Sequence, residues 1–173
     1  MVNTVINALV AFLIGGATLS FNFSAVDAAG NSQYEGSGCV ITLGENYRME
    51  TDEILVVSNG SVKGIYQKGI DEIVLLPVAP SSGADAASPG APAPGADIMD
   101  NPFALLRNPG GMYDISTMGM DAEGIPMQIV MKAKTGAIYT ISIQKYSKLP
   151  APDPSLFTLN PDDYPSAVVT DLR

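Results

Sequence analysis

"ATLSFNFSA", residues 17–25, decides the fold class. Along an extended chain Ala17, Leu19, Phe21, Phe23 and Ala25 point one way, and Thr18, Ser20, Asn22 and Ser24 the other. Period two with one apolar and one polar side is the pattern of an antiparallel strand that has one face on a core. Toward the N-terminus the period changes. Val2, Val5, Ile6, Leu9, Phe12 and Leu13 recur at i, i+3, i+4 and i+7, which predicts an amphipathic helix within residues 1–16, stopped at Gly15-Gly16. The run Ala8 to Ile14 has the apolar character of an export signal, but no Lys or Arg precedes it and it is too short to span a membrane. It is read as a helix of the mature, exported protein; a remnant of a signal sequence is the other reading.

Toward the C-terminus the strand pattern continues. "SGCVITL" (37–43) and "NYRMET" (46–51) follow across Gly44, and "EILVVS" (53–58) and "SVKGIYQ" (61–67) flank Asn59-Gly60, a strong hairpin signal. "DEIVLLPV" (71–78) is a further strand, as are "MYDIST" (112–117) and the hairpin of "PMQIVMKA" (126–133) with "AIYTISIQKY" (137–146). The stretch Leu156, Phe157, Thr158, Leu159 alternates like a closing strand, resumed at Ala167-Val168-Val169. Burying Phe157 or Leu159 contributes roughly 1.5–3 kcal/mol each. Residues 79–97, built only of Ala, Pro, Ser, Gly and Asp, form a low-complexity loop inside one domain spanning 1–173. Asn101 and Pro102 suit a helix start and Asn108-Pro109-Gly110 a stop. A helix this short needs Phe103, Leu105 and Leu106 to pack on something. The whole is mainly β (α+β), with one terminal helix, one short internal helix and eight or nine strands.

Composition narrows the chemistry. The chain has 173 residues, a net charge of −9 and nine scattered basic residues, which argues against nucleic acid as a partner. It has no histidine, which removes the commonest general base and transition-metal ligand. Cys39 is the single cysteine, so there is neither an internal disulfide nor a zinc cluster; it reads as a small buried strand residue. "GSG" (36–38) and "PGG" (109–111) read as turns, because neither has the strand–Gly–helix context of a phosphate loop. Asp52-Glu53, Asp71-Glu72 and Asp162-Asp163 are adjacent pairs, and neighbours on a strand face opposite ways. Glu45, Asp52 and Asp121 lack the spacing of a calcium loop. No catalytic residue, metal site or cofactor is assigned.

The order of elements, "NPFALLRN" (101–108), "GENYRMETDEILVVSNGSVKGIYQ" (44–67) and above all the ending "LFTLNPDDYPSAVVTDLR" (156–173) resemble LolA, the family of periplasmic outer-membrane lipoprotein carriers, and within it the Bacteroidetes-type members. The resemblance implies a strongly curved, half-open antiparallel β-barrel with helices across its concave face. It implies no catalysis, a periplasmic location, acyl chains of lipoprotein or other lipid as cargo, and envelope proteins that donate or accept that cargo. Nothing in it implies an integral membrane protein. Leu43 stands where the family's carrier has an arginine four residues before the aromatic Tyr47.

On this reading the apolar strand faces line the cargo site: Phe21 and Phe23, Tyr47 and Met49, Met127, Ile129 and Met131, and Tyr139 and Ile141. Phe103, Leu105 and Leu106 would form the lid. Six of the eight methionines fall between Met99 and Met131, and flexible thioethers suit either a core or a surface that accepts varied chains. The alternative is an envelope interaction domain of the same fold without lipid, binding another protein through the concave face or the 79–97 loop.

Overall fold

The structure, a computed structural model, describes residues 2–78 and 113–173. The periodicity at the N-terminus gives helix α1 (Val2–Ile14), with Ile6, Leu9, Val10 and Leu13 buried and Thr4, Asn7, Ala8 and Ala11 exposed. Its end is built jointly with the strands that follow. Gly16 takes φ +93°, and a Cβ there would collide with the Leu149 carbonyl, so only glycine serves. Two carbonyls of the last turn are tied to the next hairpin, Leu13 O in addition to the Gly16 N–H it accepts at 3.1 Å. The Thr42 hydroxyl donates to Leu13 O at 2.6 Å, and Gly44 N–H donates to Ile14 O at 2.9 Å. Thr42→Val should cost about 1 kcal/mol in urea unfolding, since it removes one buried hydrogen bond and keeps the shape.

Ten strands follow among the described residues: β1 (Ala17–Val26), β2 (Ser32–Leu43), β3 (Asn46–Thr51), β4 (Ile54–Ser58), β5 (Val62–Gln67), β6 (Glu72–Pro77), β7 (Tyr113–Met120), β8 (Pro126–Ala133), β9 (Ile138–Lys148) and β10 (Val168–Asp171). They form one open sheet in the order β10-β6-β5-β4-β3-β2-β1-β9-β8-β7, with β7 and β10 at its two edges. The Asn59-Gly60 hairpin joins β4 to β5, and Lys134-Thr135-Gly136 lies in the turn joining β8 to β9. All pairings are antiparallel except β10, which runs parallel to β6. The register of β1 on β9 shifts between Ser20 and Phe21, leaving Gln144 as an extra residue, a bulge that bends and twists the strand pair.

Each face carries its own core. On one side α1 lies against β1, β2, β7 and β8, with the Phe12 ring edge-on to Tyr146 of β9 at 5.2 Å. Leu9 and Leu13 meet Leu19, Phe21, Tyr47, Val56, Ile129 and Met131 there. On the other side Leu55 and Val57 of β4 and Ile73 and Leu75 of β6 pack under Phe157 and Leu159. No described helix is long and apolar enough to cross a membrane.

Five sequence expectations change. The described residues form ten strands rather than eight or nine. The stretch Leu156–Leu159 is not a strand: Pro154–Phe157 is a 3-10 turn, followed by another at Pro161–Asp163. Each opens on a side-chain cap followed by proline, Asp153-Pro154 and Asn160-Pro161, and each cap accepts the backbone N–H two residues on. The side chains nonetheless bury as expected, on the face opposite α1. Cys39 is in a strand but exposed, because it points to the face away from α1, beyond the reach of the C-terminal cover. "GSG" is not a turn but the interior of β2, whose Gly36 and Gly38 lie under the rings of Phe23 and Phe21. The carboxylate pairs sit at a bend, at the turn where β6 begins and in a 3-10 segment rather than along the middle of strands, Asp71 with φ +54°. The 79–97 loop and the "NPFALL" helix lie outside the described residues.

Candidate functional site

All nine residues expected to line a cargo site lie on the face that carries α1. Alternation puts Phe21 and Phe23 of β1 there. Register carries the face to Met49 of β3 through Val40, and to Ile141 and Tyr139 of β9 opposite Phe23 and Ala25. Ile129 and Met131 of β8 pair with Ile141 and Tyr139. Eight of the nine belong to a single apolar cluster with Leu9 and Leu13 of α1. The ninth, Met127, is 39% exposed at the end of β8. Phe103, Leu105 and Leu106 lie outside the described residues.

Within the cluster burial is graded. Phe21, Tyr47, Ile129 and Met131 are buried, whereas Phe23, Met49, Tyr139 and Ile141 are half-buried. The half-buried group is continued by Ile54 and Ile115, neither of which was picked out from sequence as a lining residue. Phe21 and Phe23 lean over glycines: a Cβ on Gly38 would come within 2.8 Å of the tip of the Phe21 ring, and one on Gly36 within 2.9 Å of that of Phe23. Tyr113 meets Tyr139 edge-on at 6.1 Å.

Tyr34 extends this surface and was missed from sequence, because it lies before the residue at which β2 was expected to begin. Its ring stacks on Phe23 with centroids 5.0 Å apart, and its hydroxyl donates to Glu53 Oε2 at 2.7 Å. That acceptor, with partial burial and the Glu53 and Asp52 charges, pushes the Tyr34 hydroxyl up to about 12 from its ordinary 10. The sign follows: the neutral phenol is the favoured form, so the bond is present through neutral pH and is lost as pH rises through about 12. In a phenolate absorbance titration, the difference between the parent chain and Tyr34→Phe should therefore have its midpoint near 12 rather than 10.

The opposite face differs in chemistry. Over β9, β1 and β2 it carries Thr140, Ser142, Asn22 and Ser24, which line an open groove of about 460 Å³. A second, of about 340 Å³, runs past Ser20, Ser37, Cys39 and Lys68. Arg48 points to this side, away from Tyr47, as alternation requires. It forms an ion pair with Glu50 at 3.2 Å, and Lys68 holds the other oxygen of the same carboxylate at 2.9 Å. Lys68 above all, and then Arg48, hold the Glu50 carboxyl below the usual range. Leu43 packs under the C-terminal segment on this same face. Among the described residues no group of three or more Cys, Asp or Glu is placed to hold a metal ion.

Solved structures share this fold. A LolA superfamily protein from Nitrosomonas europaea superimposes with a TM-score of 0.52 over 90% of this chain and 96% of its own, at 10% identity. The fold is LolA-like. An uncharacterized conserved protein from Thermus thermophilus is similar at a TM-score of 0.55, covering 97% of both chains, again at 10% identity. No protein-family model and no curated protein sequence matches the chain.

Proposed function

We propose that this chain is a non-catalytic binder or carrier of acyl chains, from lipoproteins or other lipid, working in the periplasm. The observation that carries this is the graded apolar face. Phe23, Met49, Ile54, Ile115, Tyr139 and Ile141 remain half-buried on the side that α1 covers. The LolA-like fold and the lipoprotein-carrier resemblance of the chain's ending support the same reading. The nine lining residues are proposed as the contact surface, with the buried four as its floor and the half-buried four as the part a chain reaches first.

Physical chemistry makes such binding feasible without a reaction. Burying acyl chain is worth about 0.8 kcal/mol per methylene, so eight methylenes give roughly 6 kcal/mol before ordering costs. Methionine and aromatic side chains repack around chains of different length. Native mass spectrometry of the protein purified from a cell envelope tests the reading. A lipid-sized adduct released by organic solvent is expected. A clean mass, with no later uptake of a fluorescent fatty acid, would overturn it and leave the apolar face as ordinary core.

A further inference from the structure

The sheet has a step in it. β2 pairs with β1 from Ser32 onward but with β3 only from Gly38, opposite Thr51. Beyond that point the chain turns at Asp52-Glu53 and returns as β4, so among the described residues 32–37 of β2 have no strand on that side. The step is a notch in the side of the apolar face. Among the described residues one side-chain hydrogen bond crosses it, the Tyr34 hydroxyl donating to the Glu53 carboxylate at 2.7 Å.

The two ends of the bridge are held differently. Glu53 is fixed: its carbonyl accepts Lys68 N–H at 2.9 Å, and its N–H donates to Thr51 Oγ1 at 3.3 Å. Tyr34 stands on the overhang, 39% exposed, its ring stacked on Phe23, which in turn leans over Gly36. Gly36 has no side chain, and that is what lets the Phe23 ring, and Tyr34 stacked on it, lie over the overhang. We infer that the notch beside the β2 overhang is the entrance through which an acyl chain reaches the apolar face, with the Tyr34–Glu53 bond as its latch. This rests on the acyl-binding reading above. It adds a route and the residues that control it, and it commits the cargo's exposed end to the strand ends near Asp52 and Glu53.

A latch controls rates, not depth of binding. The test is stopped-flow exchange of a fluorescent fatty acid on the full chain, comparing the parent with Tyr34→Phe and Glu53→Ala. Tyr66→Phe is the control, since it removes a similar phenol–carboxylate bond, Tyr66 to Asp71 at 2.8 Å, away from the notch. Losing one solvent-exposed hydrogen bond of ordinary net strength should speed both uptake and release by about 3–10-fold in each latch variant. Equilibrium affinity and the Tyr66→Phe rates should stay unchanged. Unaltered rates in both latch variants would overturn the entrance while leaving acyl binding intact. Weaker affinity with unaltered uptake would make Tyr34 a contact rather than a latch, which also overturns it. Absence of binding by the parent chain would remove the acyl reading itself, and the entrance with it.

Discussion

Phe157→Ala is expected to destabilise the protein by about 3–5 kcal/mol, measured as the shift in a urea or guanidinium unfolding curve. Phe157 is 2% exposed and fills the centre of the core on the face opposite α1, against Leu55, Val57, Ile73 and Leu75. A loss of that size is a large fraction of the roughly 5–15 kcal/mol typical of a domain. The effect reaches beyond one side chain, because the same segment carries Leu159 and then β10. Leu159 sits where a Cβ on Gly64 would fall 2.7 Å from its own Cβ, so tail and strand meet at backbone distance. The Tyr164 ring lies 4.3 Å from that of Tyr66, and Val168 N–H donates to Asp71 O at 2.9 Å. These contacts make the C-terminal segment part of the structure. A cost under about 1 kcal/mol would mean that it is peripheral.

The second large effect concerns binding. Phe23→Asp should weaken uptake of an apolar probe at least about tenfold, because it replaces an acyl-facing ring with a charge that the site cannot pair. Phe23 is half-buried, so the folded state should survive the change. Ser24→Asp is the matched control: the neighbouring residue points into the polar groove on the opposite face and should leave affinity unaltered. Equal loss in both variants would indicate a general effect of charge, and no loss in Phe23→Asp would remove this surface from the binding site.

Much of this architecture was readable from residue order. β1 and α1 were legible because their periods, two and 3.6, are clean, and each has one face on the core and one on solvent. The β4–β5 and β8–β9 hairpins were marked by their turn residues. The C-terminal segment was not legible as it folds. Leu156–Leu159 alternates as a strand would, but Asp153-Pro154 and Asn160-Pro161 are cap-plus-proline starts that turn the chain twice. The parallel pairing of β10 on β6 joins segments far apart in the chain, Val168 to Glu72, and nothing local specifies it.

The two faces explain the remaining misses. "GSGCVITL" is apolar on both parities because the end of β2 has α1 above it and the C-terminal segment below. Ile41 and Leu43 lie beneath that segment, whereas Cys39, two residues earlier on the same side, does not. Gly36 and Gly38 looked like turn residues, yet their role is to make room for Phe23 and Phe21 on the neighbouring strand. Tyr34 was hidden for the same reason, since the glycines appeared to end the strand before reaching it.

The measurement that tests the central claim most directly is a methionine-methyl NMR titration with a long-chain fatty acid. Methionines report from both sides of the sheet: Met49 and Met131 lie on the face carrying α1, and Met118 of β7 points to the opposite side, paired with Gln128. If that apolar face takes the acyl chain, the Met49 and Met131 resonances shift saturably and that of Met118 stays in place. Shifts confined to Met118, or none at saturating ligand, would contradict the account.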